Sequence, residues 1–99
     1  MTGLPVVISD QAELDITESF NWYRERSADA ADAFRREVVE GIERIARTPF
    51  TWKEDDQGNR RIVLRRFPFS MIYEVTHEAV IVMAVAHHRK LPRYWANKP

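Results

Sequence analysis

Residues 57–99 of this 99-residue chain hold eight cationic side chains, Arg60, Arg61, Arg65, Arg66, Arg89, Lys90, Arg93 and Lys98, against only Glu74 and Glu78. Two carboxylates cannot neutralise eight cations, so the segment is expected to present positive charge to a polyanion or an acidic partner. Arginine suits an oxyanion because its planar fork donates paired hydrogen bonds. His87 and His88 follow an apolar run and point to opposite sides, so they cannot chelate one ion together, and His77 lies in the preceding turn. With no cysteine and no histidine pair at i, i+4 spacing, no metal site and no cofactor are expected. One of the paired histidines either faces the open side beside Arg61 and Arg65, where it could move a proton, or merely hydrogen-bonds at a strand end. Tyr94 and Trp95 stand between Arg93 and Lys98 and would stack on nucleobases, anchor a protein interface or pin the tail to the sheet. A glycine-rich phosphate loop and a nucleophile elbow are both missing.

The zero formal net charge conceals a division. Residues 1–56 carry 7 Lys/Arg against 13 Asp/Glu, and residues 57–99 carry 8 against 2. Opposite charge either steadies the fold across a seam or sets a cationic working surface on an acidic scaffold. Length bounds the chain to one domain, residues 1–99, and 44% hydrophobic with 30% charged residues is the balance of a packed core. The absence of cysteine suits a reducing compartment, and a cytoplasmic location is expected. The longest apolar run, Ala79–Ala86, is far short of the ~20 residues that cross a bilayer, and the first ten residues lack a charged leader region, so no membrane partner is expected.

The elements that must position these side chains follow from periodicity. Leu4–Ser9 is a β-branched run with Pro5 near its start, a first strand at or near a sheet edge. Asp10, with Glu13 three residues on, is placed to cap a helix whose apolar stripe is Ala12, Ile16, Ser19, Phe20 and Tyr23. Leu14, Glu18 and Trp22 line a different side. Ala31, Phe34, Val38, Gly41, Ile42 and Ile45 repeat at helical spacing until Thr48-Pro49, so residues 10–47 form a helical hairpin. Arg60–Phe67, Phe69–Val75 and Ala79–Ala86 then read as strands, the last central, with a hairpin at Thr76-His77-Glu78. Alternation puts Ile62 and Leu64 under the helices and Arg61 with Arg65 on the open face. Leu91–Pro99 is a polar-aromatic tail. The expected fold class is α+β: a helical hairpin packed on an antiparallel sheet in the order β-α-α-β-β-β.

The run Arg60-Arg61, Leu64-Arg65-Arg66-Phe67-Pro68-Phe69 and Ile72-Tyr73-Glu74-Val75, followed by Ala84-Val85-Ala86-His87-His88-Arg89-Lys90-Leu91-Pro92 and Tyr94-Trp95, resembles the RelE/ParE superfamily of bacterial toxins. Ala33-Phe34 and the Thr48-Pro49 stop agree, and the branch it resembles is the ParE-like, plasmid-stabilisation one. The resemblance implies a type II toxin neutralised by a cognate antitoxin, as a homodimer or as a hetero-oligomer with it. ParE-like members poison DNA gyrase without catalytic residues; RelE-like members cut ribosome-bound mRNA. The lysine and arginine cluster of the RelE ribonucleases has no good match, because residues 50–56 hold only Lys53 beside Glu54, Asp55 and Asp56. Gyrase is therefore the expected target, and a ribosome-dependent ribonuclease is the alternative. In the latter His87 or His88 would be the base, Arg61 and Arg65 the phosphate clamp, and Tyr94 a polar or stacking group. Target or nucleic-acid contacts are expected at Arg61, Arg65, Arg89, Lys90, Arg93 and Trp95. Antitoxin contacts are expected at the Leu14 and Trp22 ridge and in the groove between helices and sheet.

Overall fold

The computed structural model describes residues 3–90 and 93–96. Leu91, Pro92 and Lys98, which belong to the expected basic and tail features, lie outside the described residues. The order is β1 (Val6–Ile8), α1 (Asp10–Arg24), α2 (Ala28–Arg47), β2 (Arg60–Val63), β3 (Phe69–Val75), β4 (Val80–His87) and a short 3-10 turn, Tyr94–Ala96. This is the expected α+β order with one correction: the four-stranded sheet, β1-β4-β3-β2, is mixed. β2, β3 and β4 form the antiparallel meander, whereas β1 runs parallel to β4. Everything between Ile8 and Val80 separates those two strands, so chain connectivity imposes no direction on their pairing.

Both helices begin on serine caps. Ser9, not Asp10, accepts the Ala12 N–H at 3.1 Å, and Ser27 accepts that of Ala30 at 3.2 Å. Their apolar stripes meet the sheet in a core of Ala12, Phe34, Val38, Ile45, Ile62, Met71, Tyr73, Val80, Val82 and Val85. Tyr23, Phe34, Phe67 and Phe69 close one end of that core, with ring centroids 5.0 to 6.4 Å apart. Contacts of this geometry each add about 0.5–1.5 kcal/mol beyond area burial. At the other end the buried Tyr73 hydroxyl donates to Pro49 O at 2.6 Å and Arg60 Nη1 to Trp52 O at 2.6 Å, fixing the loop after α2.

The β3–β4 ladder slips once. Tyr73 faces Val82 but Ile72 faces Ala84, leaving Met83 as the extra residue of a bulge. The slip reverses the alternation of β4, so Val80 and Val82 and then Val85 and His87 face the helices. Ala84, Ala86 and His88 turn to the open face. Beyond the end of β1, the outer edge of β4 is satisfied by side chains of the α1 start: Ser9 Oγ donates to Met83 O at 3.0 Å and Asp15 Oδ2 accepts the Val85 N–H at 3.0 Å.

Candidate functional site

The open face carries a second, smaller apolar cluster of Ile72, Ala84, Ala86 and Trp95. Trp95 is brought back over the sheet by the 3-10 turn and is buried, so its ring is a lid on the sheet and is not offered for stacking on a base. The turn is latched from the other layer. The Tyr94 hydroxyl donates to Asp15 Oδ2 at 2.5 Å, and Gln11 Nε2 donates to Asp15 Oδ1 at 2.8 Å. Burial first, and then this bond and the charges of Asp15 and Glu18, push the Tyr94 phenol far above its usual value. It is a fixed donor and not a group that exchanges protons near neutrality.

Around the Trp95 floor lies a basin of about 210 Å³ bounded by Arg61, Ser70, His88, Lys90 and Arg93. Arg61 enters it from β2, opposite Ile72 in the ladder. His88 Nε2 lies 3.2 Å from Ser70 Oγ. Arg93 stands at φ 57° with its guanidinium 5.8 Å from the Trp95 ring centre and Nη1 3.4 Å from Gln57 Oε1. Among the described residues none of Arg61, Arg89, Lys90 and Arg93 forms an ion pair. The carboxylate that feels Arg93 and Arg61 is Asp55. It is held below its usual value first by the N–H groups of Asn59 and Gln57 and only secondarily by those two cations.

Other expected members go elsewhere. Arg65 does not share the face of Arg61, because β2 ends at Val63 and the chain bends. Its N–H and that of Arg66 donate to Glu37 Oε1 at 2.9 and 3.1 Å, Arg66 Nε donates to Glu37 Oε2 at 3.0 Å, and Arg65 Nε lies 3.7 Å from Glu40. Burial alone would raise the Glu37 carboxyl, but these donors and the Arg66 charge bring it below its usual value. Arg65 and Arg66 thus hold the β2–β3 loop to α2. Arg89 is exposed in the turn after β4, outside the basin; its N–H donates to His87 Nδ1 at 3.0 Å. That bond places the proton of neutral His87 on Nε2 and occupies its lone pair. Burial, then the charges of Arg89 and His88, lower its pKa.

On the helix side of His87, which stacks edge-on against Phe69 at 5.0 Å, a groove of about 380 Å³ opens beside Trp22 and Tyr23. His87 and Lys90 line both groove and basin. Trp22 and Leu14 are each about half exposed at 51%, and Arg26 lies over the Trp22 ring at 3.7 Å. Two turns of helix, ~12 Å, separate them on one ridge. Leu14 borders a different hollow, beside Ile8 and Ile16. Asp15, Glu37 and Ser70 were not singled out from the sequence. The legible signal for the first two is a carboxylate on the core stripe of its helix, at i+3 from Ala12 and from Phe34.

The chain is 28% identical over 86 residues to Toxin ParE2 of Mycobacterium tuberculosis (strain CDC 1551 / Oshkosh), spanning 86% of this chain and 82% of that protein. The same figures hold for Toxin ParE2 of strain ATCC 25618 / H37Rv. Among solved structures, a chain of the chromosomal ParDE TA system from P. aeruginosa superposes with a TM-score of 0.77, covering 88% of this chain and 98% of that one. At 15% identity that likeness shows the fold alone. Residues 6–92 match the sequence model of a family described as the ParE toxin of the type II toxin-antitoxin system, parDE, which implies an antitoxin partner. The chain belongs to the ParE toxin family and is a ParE-like toxin of a type II toxin–antitoxin system.

Proposed function

We propose that this toxin arrests growth in the cytoplasm by binding DNA gyrase through the basin side of its sheet, and that a cognate antitoxin neutralises it by covering the Leu14 and Trp22 ridge and the adjoining groove. The observation that carries the reading is the convergence of Arg61, Lys90 and Arg93 beside β2, an edge strand, with no ion pair to them among the described residues. Gyrase works on DNA, so a cationic surface next to an open strand edge suits its nucleoprotein complex. The chemistry of RNA cleavage is less well served. Of the groups cleavage would call on, His87 has its lone pair occupied by the Arg89 N–H, Tyr94 is held as a donor to Asp15 and Arg65 is turned to α2, which leaves His88, against Ser70, and Arg61 in the basin. Purified toxin added to a gyrase supercoiling reaction is expected to inhibit it and to trap cleaved DNA. Unchanged supercoiling at micromolar toxin removes the reading.

A further inference from the structure

The basin contains more than charge. Ser70 is a buried hydroxyl, 3% exposed, and the exposed His88 imidazole lies within hydrogen-bonding distance of it. Arg61, Lys90 and Arg93 come from three separate places, β2, the turn after β4 and the position just before the 3-10 turn, and meet around that pair. Among the described residues no carboxylate forms an ion pair with these three cations, and Asp55 acts on Arg61 and Arg93 only from beyond pairing distance, so they repel each other and an incoming anion relieves that repulsion. At about 210 Å³ the space is smaller than the roughly 300–1,000 Å³ that takes a drug-sized ligand, so it fits one small group and its immediate attachment. The Ile72, Ala86 and Trp95 floor leaves apolar surface for that attachment.

We propose that the basin is a phosphate-binding site. Arg61 and Arg93 supply paired N–H donors, Lys90 a point charge, and the Ser70 hydroxyl with the His88 ring the short-range donors that orient a tetrahedral oxyanion. Inference and gyrase reading share the choice of the basin as the working surface. Phosphate binding, however, does not need gyrase. Two sources have this chemistry: the backbone of a nucleic acid, and the phosphate of a free nucleotide.

The test is an NMR titration of isotope-labelled toxin with inorganic phosphate, pyrophosphate and a short mixed-sequence oligonucleotide, in separate arms. Saturable shifts are expected at the Ser70 and His88 amides and the Trp95 indole, weakening with added salt. Arg61→Ala and Arg93→Ala should each weaken binding roughly tenfold, whereas Arg36→Ala, on exposed α2 surface, should leave it unchanged. Tighter binding of the oligonucleotide at these same signals assigns a nucleic-acid backbone; tighter binding of pyrophosphate assigns a free nucleotide. No saturable shift with any probe, shifts centred away from the basin, or equal weakening by Arg36→Ala overturns the site. The supercoiling assay is read separately on the Arg61→Ala, Arg93→Ala double variant. Lost phosphate binding with intact inhibition leaves the phosphate site standing and removes the basin from the gyrase contact.

Discussion

Glu37 shows how a single carboxylate converts a charged segment into structure. It is 8% exposed and takes three donors from the β2–β3 loop, so its ionised form is worth more in the folded chain than in water. Glu37→Gln keeps the volume and an acceptor but loses the charge, and is expected to cost about 1–2 kcal/mol in chemical denaturation at neutral pH. Because the folded carboxyl titrates below its usual 4.5, the stabilisation is complete above that value and fades as acid protonates the folded form. The gap between wild type and Glu37→Gln should therefore close on acidification; a gap that widens instead contradicts the assignment. Asp15 is the counterpart on α1, holding Val85, Tyr94 and Gln11. Asp15→Leu orphans the buried Val85 N–H and the Tyr94 hydroxyl, at about 1–3 kcal/mol each. Tyr94→Phe removes one bond only. Both should change the near-ultraviolet dichroism of Trp95, because both release the latch that holds its ring on the sheet.

At the scale of elements, α2 lies close to the sheet at Gly41. A Cβ there would stand 3.1 Å from Met71 Cε and 3.3 Å from Ile62 Cδ1. Met71 can yield a few tenths of an ångström, so Gly41→Ala, which also gains helix propensity of about 1 kcal/mol, is expected to be near neutral. Gly41→Leu must separate helix from sheet and should cost about 1–3 kcal/mol in thermal or denaturant unfolding. Such contact faces were legible from periodicity, since Ala31, Phe34, Val38 and Ile45 are buried as their spacing requires. Other features were not. The nearly all-apolar run Ala79–Ala86 carries no alternation that would reveal the bulge at Met83, and that bulge decides that His88, not His87, lies against Ser70 on the open face. The parallel pairing of β1 depends on a partner more than seventy residues away. Alternation placed Arg61 correctly on the open face but failed for Arg65, because Glu37 binds two successive N–H groups there and the strand ends first.

Over the whole molecule the charge division serves two purposes in two places. Where α2 meets the β2–β3 loop, Glu37 and Glu40 pair with Arg66 and Arg65 and join the acidic segment to the basic one. Away from that seam, Arg61, Lys90 and Arg93 meet at the basin with no ion pair among the described residues, Asp55 being the carboxylate that feels two of them. The groove beside Trp22 adjoins the basin through His87 and Lys90, so a partner that fills the groove meets two side chains that also line the basin. Trp22 is half exposed and lies outside the buried core cluster, so Trp22→Ala loses its edge contact to Tyr23 and the Arg26 stack and should cost about 1–2 kcal/mol of unfolding stability with the fold retained. If the antitoxin covers this ridge, Trp22 is the kind of aromatic anchor whose truncation costs about 2 kcal/mol or more of binding, roughly thirtyfold in Kd. Calorimetric titration of Trp22→Ala and Leu14→Asp with the cognate antitoxin should show that loss, and a change below roughly threefold would place the antitoxin elsewhere. Because groove and basin share side chains, saturating antitoxin should also weaken phosphate binding to the basin, and phosphate should weaken antitoxin binding by the same factor.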